Sequence, residues 1–136
     1  MNQKFLLFLF LTMPLSLLAL PGRIDSLTGA LEKERTDTGK VILLRKLSGE
    51  FTSFNPDTAL ILAQRSLLLS RKIRFLSGEA DALNVMASAY RVFGNFPKSL
   101  EYYLEQLKLV ERSNNNEDLA IVNMSISMFT GKKGIM

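Results

Sequence analysis

The most restrictive feature of this sequence is the even spacing of the breaks between its apolar runs. Apolar residues return every three or four positions, the mark of amphipathic helices, and almost no stretch alternates with a period of two. Short polar breaks, not long linkers, separate the runs. Beyond the first 20 residues they predict helices over 24–34, 40–51, 56–75, 79–93, 96–112 and 117–130. Inward stripes follow from the same periodicity. They are Ile24, Leu27 and Leu31 in the first helix, Leu43, Leu44 and Leu47 in the second, and Ala59, Leu60, Ala63, Leu67 and Leu68 in the third. Thr36-Asp37-Thr38-Gly39, Thr52 to Asn55, Ser77 or Gly78, Gly94-Asn95 and Ser113 to Asn116 are the expected breaks. Asn55-Pro56 is a helix start, since Asn accepts from the first free amides and Pro in the first turn sacrifices no hydrogen bond. Gly94-Asn95 is a stop followed by a new cap, and Pro97 falls in the tolerant first turn of the helix it opens.

Sliding the chain over itself by 40 residues brings these features into register. Leu43 falls on Leu83, Leu47 on Ala87 and then Ser127, Asn55 on Asn95, Ala59 on Ser99, Leu60 on Leu100, Leu67 on Leu107, and Gly94 on Gly134. A helix pair cannot bury its apolar face alone, so repeated pairs stack, small residues letting backbones approach and larger ones filling the space between pairs. The expected fold is all-α, with antiparallel helix pairs stacked as a short solenoid. A plain helical bundle is the alternative.

Residues 80–112 resemble the tetratricopeptide repeat family. Leu83, Ala87, Tyr90, Gly94, Phe96, Ser99, Tyr103 and Leu109 stand where that family places its large, small, aromatic and glycine positions, and the run from Ala89 to Tyr103 is especially typical. Ser99 and Gln106 stand where the family usually has Ala, which points to looser packing there. Residues 43–75 resemble a weaker copy, with Glu50 in the aromatic's place, and the third copy stops at Gly134 where its second helix would begin. The resemblance implies a right-handed tetratricopeptide-like solenoid. Together with the layout of the first 20 residues, it divides the chain into a signal peptide over 1–20, an N-terminal helix over 21–39 and repeats over 40–136, at about 40–75, 79–113 and an incomplete third from 117. The long period is similar to that of the exported repeat regions of some bacterial sensor histidine kinases and related regulators. The resemblance therefore also implies a sensor or scaffold part of a larger signalling protein, here truncated or a fragment.

The chain has neither cysteine nor histidine. That excludes disulfide scaffolds, Cys/His zinc sites, thiol chemistry and Ser-His-acid or Cys-His catalysis. No carboxylate cluster of metal-ligand type and no glycine-rich phosphate loop is visible, Gly131-Lys132-Lys133-Gly134 lacking both strand and spacing. No cofactor, no metal and no enzymatic activity are expected. The net charge of +4 is small and scattered, so no nucleic-acid partner is expected.

Residues 1–20 have the layout of a secretory signal: Lys4 alone is charged, Phe5 to Leu11 is unbroken apolar, and Ala19 precedes Leu20-Pro21-Gly22. An uncleaved anchor is the alternative, although Phe5 to Leu20 falls short of the roughly 20 residues a spanning helix needs. No membrane span is expected after signal removal. The expectation is an exported protein of a bacterial periplasm or cell envelope.

Repeats of the resembled kind bind proteins or peptides on the concave face lined by the first helix of each pair. By position the candidates there are Arg45, Glu50, Asn84, Ser88, Arg91, Asn123 and Ser127. Arg91 can hold a carboxylate in a two-pronged fork, and Asn84 and Ser88 share a helix face. The structural alternative is a solvated helix surface. The basic run Arg71-Lys72-Ile73-Arg74 suits an acidic partner or the helix C-terminus it ends, and Tyr90, Tyr102, Tyr103 and Phe96 read as packing between helices. Glu101 and Glu105 read as an exposed face beside Lys98 and Lys108. Leu119, Ile121, Val122, Ile126 and Met128 look poorly covered by one last helix, so self-association through the open third repeat is a further expectation. A structural or oligomerising remnant is accordingly the alternative function.

Overall fold

The computed structural model describes residues 22–114 and 116–131, and the expected leader at 1–20 lies outside them. The helices are α1 (Arg23–Lys33), α2 (Asp37–Phe51), α3 (Pro56–Ile73), α4 (Leu76–Val92), α5 (Phe96–Ser113) and α6 (Asn116–Thr130), and no strand occurs among the described residues. Each helix packs on its neighbours in chain order through a short turn, which makes successive helices antiparallel. α2 also touches α4, so the first helices of successive pairs lie side by side. The protein is an all-α stack of helix pairs, tetratricopeptide-like in arrangement.

The 40-residue register holds in three dimensions. Asn55 and Asn95 cap α3 and α5 by accepting from the amides of Thr58 and Lys98 at 3.2 and 3.1 Å. Both helices end on a left-handed residue, Arg74 with φ 57° and Asn114 with φ 53°. One core cluster joins Ala63 and Leu67 of α3 to Ala82, Leu83 and Met86 of α4. Forty positions on, Tyr103 and Leu107 of α5 pack with Val122 and Ile126 of α6. α6 thus lies on α5 as α4 lies on α3. The stripe Ile24, Leu27 and Leu31 packs against Leu44, Leu47 and Leu62, closing the first pair.

Two helices begin three residues before their expected starts. α2 begins at Asp37 because Thr36 accepts from the amide of Gly39 at 3.0 Å, and Glu34 folds back onto the backbone amide and hydroxyl of Thr36. Those hydrogen bonds, the backbone one first, hold the Glu34 carboxyl below its ordinary range. α4 begins at Leu76, so Ser77 and Gly78 lie inside the helix instead of breaking it. Gly78 is buried at the closest approach of three helices: a Cβ there would stand 2.6 Å from Val41 Cγ1 and 2.7 Å from both Phe75 Cδ1 and Ser70 Oγ. Gly94, with φ +73°, does end a helix, as does Gly131 after α6, with φ +62°.

The inward stripe of α3 also differs. Leu68 is 61% exposed, and Leu62 and Ser66 take the buried positions, because α3 packs against both α2 and α4 and so buries two adjoining stripes. Ser99 and Gln106, expected to loosen the packing, do not: both are buried and hydrogen-bonded. Ser99 Oγ donates to the Ala87 carbonyl at 2.7 Å, and Ser66 Oγ to that of Val41 at 3.3 Å, each tying a second helix to its first. Every buried side-chain nitrogen and oxygen among the described residues has a partner.

Candidate functional site

The first helix of each pair, α2, α4 or α6, carries all seven expected concave-face residues, but their surroundings separate them. Arg45 of α2 pairs with Asp81 of α4 at 3.2 Å, a bridge between successive first helices. Burial holds the Asp81 carboxyl above its ordinary range despite Arg45, and Asp118 pushes the same way. Glu50 pairs with Arg23 of α1 at 3.0 Å. Asn84 donates to Gln106 Oε1 at 3.4 Å, and Ser88 Oγ lies 3.1 Å from the Tyr103 hydroxyl. These two therefore face α5 and are half-buried against it. Asn123 is half-buried at the position equivalent to Leu83, on the side of α6 that packs on α5. Ser127 donates back to the Met124 carbonyl at 2.7 Å.

Arg91 differs from the other six. It is exposed near the end of α4, and its side chain makes no hydrogen bond or ion pair among the described residues. It lines an open cleft of about 620 Å³ with Phe96 from the start of α5 and Met128 and Phe129 from the end of α6. The cleft wall is fixed by ring packing. Phe96 meets Phe129 edge-on at 6.1 Å, and Phe129 lies 6.0 Å from Tyr103. Tyr90 stacks on Tyr102 at 5.5 Å on the other side of the α4–α5 pair, with Lys98 Nζ 5.2 Å above the Tyr102 ring. The aromatic residues thus pack between helices, as expected, and form no cage. A lone guanidinium beside an aromatic and thioether wall can take a carboxylate in its fork while an apolar group covers the wall.

The basic run at the end of α3 is divided. Arg71 donates from Nε to Glu79 at 2.9 Å and from Nη2 to Glu105 at 2.7 Å, clamping α3, α4 and α5 together. Its guanidinium is held further in the charged form, first by the hydrogen bond to Glu79. Arg74 is the left-handed cap. Lys72 lines a second groove, about 430 Å³, with Lys40, Arg65 and apolar Leu31, Leu44, Leu68 and Leu69. The two carboxylates of α5 are divided likewise: Glu101 pairs with Lys98 at 3.0 Å, whereas Glu105 goes to Arg71 and not to Lys108. Sequence spacing could not find the Arg71 clamp, because Glu105 lies 34 residues away and meets it only through the stack.

Among the described residues no group of three or more acidic side chains is placed to hold a metal ion, and no helix is long and apolar enough to cross a membrane.

Comparison with known proteins gives one pointer in the same direction. The chain is 29% identical over 68 residues to a Trypanosoma brucei brucei protein named tetratricopeptide repeat protein 29. The match covers 50% of this chain and 14% of that protein. No family model matches, and no solved structure matches.

Proposed function

We propose that this chain is a non-catalytic binding module that holds a segment of another protein, with Arg91 anchoring a carboxylate of that segment. The observation that carries this reading is the unpaired Arg91 guanidinium on the rim of the Phe96–Met128–Phe129 cleft. The stacked-pair fold and the tetratricopeptide name of the relative support the broader role in protein interaction. The ligand that fits is a peptide placing an apolar side chain next to a carboxylate, its own C-terminus or an acidic residue. Hydrogen bonds to a charged group contribute about 1.5–3 kcal/mol, roughly 10- to 150-fold in affinity.

The test is a library of peptides with a free C-terminal carboxylate and an apolar last residue, read by fluorescence anisotropy against wild type, Arg91→Ala and Arg91→Lys. The expected result is a loss of at least about tenfold in Arg91→Ala with part of it restored in Arg91→Lys. Equal affinity in all three would remove Arg91 from the site.

The layout of residues 1–20 supports export to the periplasm or cell envelope, where the module would serve as a sensor or scaffold part of a signalling protein. Fractionation of cells expressing the chain tests this. Recovery with the cytoplasmic proteins and an intact Met1 N-terminus would contradict it.

A further inference from the structure

The repeat register shows which face of α6 is uncovered among the described residues. In the second pair, Asn84 and Ser88 meet α5 side chains, the Ala87 carbonyl accepts from Ser99 of α5, and Ala80 is buried. In the first pair the matching Leu44, Leu47 and Ser48 are all buried. Forty positions beyond the α4 set stand Ala120, Met124, Ser127 and Met128. Val122 and Ile126 are buried against α5, but Met124 and Met128 are 66% and 62% exposed, and Ala120 is exposed too. Of the five residues expected to be uncovered, Ile121 and Met128 are open, Val122 and Ile126 are buried and Leu119 is half-buried, and Met124 belongs with the open ones. From Leu119 to Gly131 no residue is charged, so this face has no solvating charge of its own.

We infer that this face of α6 pairs with the same face of a second copy, the two α6 helices running antiparallel about a two-fold axis at Met124. Each α6 then takes the place on the other that α5 takes on α4. The pattern is self-complementary in that direction. With Met124 opposite Met124, small Ala120 of one copy lies opposite large Met128 of the other, twice over, as a two-fold contact requires. The flanking charges agree. Acidic Glu117-Asp118 precede the neutral stretch and basic Lys132-Lys133 follow it in sequence, an order that antiparallel pairing matches and parallel pairing opposes. A 15-residue helix is about 22 Å long. One such contact is at the small end of specific interfaces, so the dimer is weak, with a dissociation constant on the order of micromolar. This inference does not rest on the peptide-binding reading: its central residues Met124 and Ala120 do not line the Arg91 cleft, and Met128, which does, is where the two surfaces adjoin.

The chain has no cysteine, so single cysteines report the pairing directly. In the full chain under mild oxidation, Met124→Cys should form a self-crosslinked dimer at least about tenfold faster than Ile61→Cys, an equally exposed site on α3. Ala120→Cys mixed with Met128→Cys should give the mixed dimer ahead of either self-dimer. In sedimentation equilibrium Met124→Glu should weaken association at least about tenfold with unchanged helical circular dichroism, and Arg91→Ala should leave it unchanged. Self-crosslinking no faster than at Ile61 would overturn the proposal. So would preferred 120–120 and 128–128 dimers, or association that survives Met124→Glu. Capture of a different protein by Met124→Cys in place of itself would also overturn it, assigning the face to a heterologous helix.

Discussion

Gly78 and Gly49 both lie in helices, and alanine at the two sites should act in opposite directions. Replacing a helical glycine by alanine stabilises by roughly 0.5–1 kcal/mol through the entropy of the unfolded backbone and helix propensity. At Gly49 nothing stands within 4 Å of the new Cβ, so the whole gain should appear. At Gly78 the Cβ would meet three atoms at 2.6–2.7 Å. None of them is free to yield. Val41 is fully buried, Phe75 lies next to the start of α4, and Ser70 is buried with its hydroxyl donating to the Ser66 carbonyl at 2.7 Å. Overpacking of this kind costs about 1–3 kcal/mol, and three blocked directions place Gly78 at the upper end. The net expectation is a loss of about 2 kcal/mol for Gly78→Ala, a gain of about 0.5–1 for Gly49→Ala, and so a gap of nearly 3. For a chain of this size that gap is on the order of 10 °C in melting temperature. Urea titration and thermal unfolding followed by circular dichroism at 222 nm measure both. Gly78→Ala as stable as wild type would refute the close approach of α4 to α2 and α3. Equal shifts in the two variants would refute the use of Cβ contacts to tell the glycines apart.

Three further outcomes follow from the same packing. Ser99→Ala removes the hydroxyl tie from α5 to the Ala87 carbonyl and should cost about 1 kcal/mol in urea unfolding. Arg74→Gly relieves a left-handed cap and should raise stability by about 1 kcal/mol, whereas Asn114, already suited to that conformation, should respond less to glycine in the same assay. Asp81 binds its proton more tightly folded than unfolded, so its contribution favours the fold at low pH and falls as pH rises from the ordinary value of 3.8 through its raised one. Asp81→Asn removes a contribution that grows as pH falls and should therefore steepen the acid limb of the stability–pH profile, and a flatter limb would contradict the dominance of burial over Arg45.

Much of the helix layout could be read from side-chain chemistry alone. Asn55, Asn95 and Gly94 act locally, and their local roles are the ones they play. What the periodicity could not resolve is which of two packed faces a residue serves. α4 is packed on α3 by Ala82, Leu83 and Met86 and on α5 by Asn84, Ala87 and Ser88, so polar Asn84 and Ser88 read as free surface although they meet α5. Leu68 differs for the converse reason, being an apolar residue at helical spacing that falls outside both packed stripes of α3. Gly78 looked like a break because a lone glycine carries the same letter whether it ends a helix or lets another helix approach. Of the site, only Arg91 combines a legible position with an exposed and unpaired side chain. Its partners Phe96, Met128 and Phe129 come from two other helices, one of them more than 30 residues away, and only the stack brings them together.

The most direct test of the binding account is a ¹⁵N-edited NMR titration with the tightest carboxylate-terminated peptide from the library. The account predicts that the shifted amides cluster at Arg91, Phe96, Met128 and Phe129, and that Arg91→Ala abolishes the shifts. Shifts confined to the groove of Lys40, Arg65 and Lys72, or unchanged in Arg91→Ala, would contradict it.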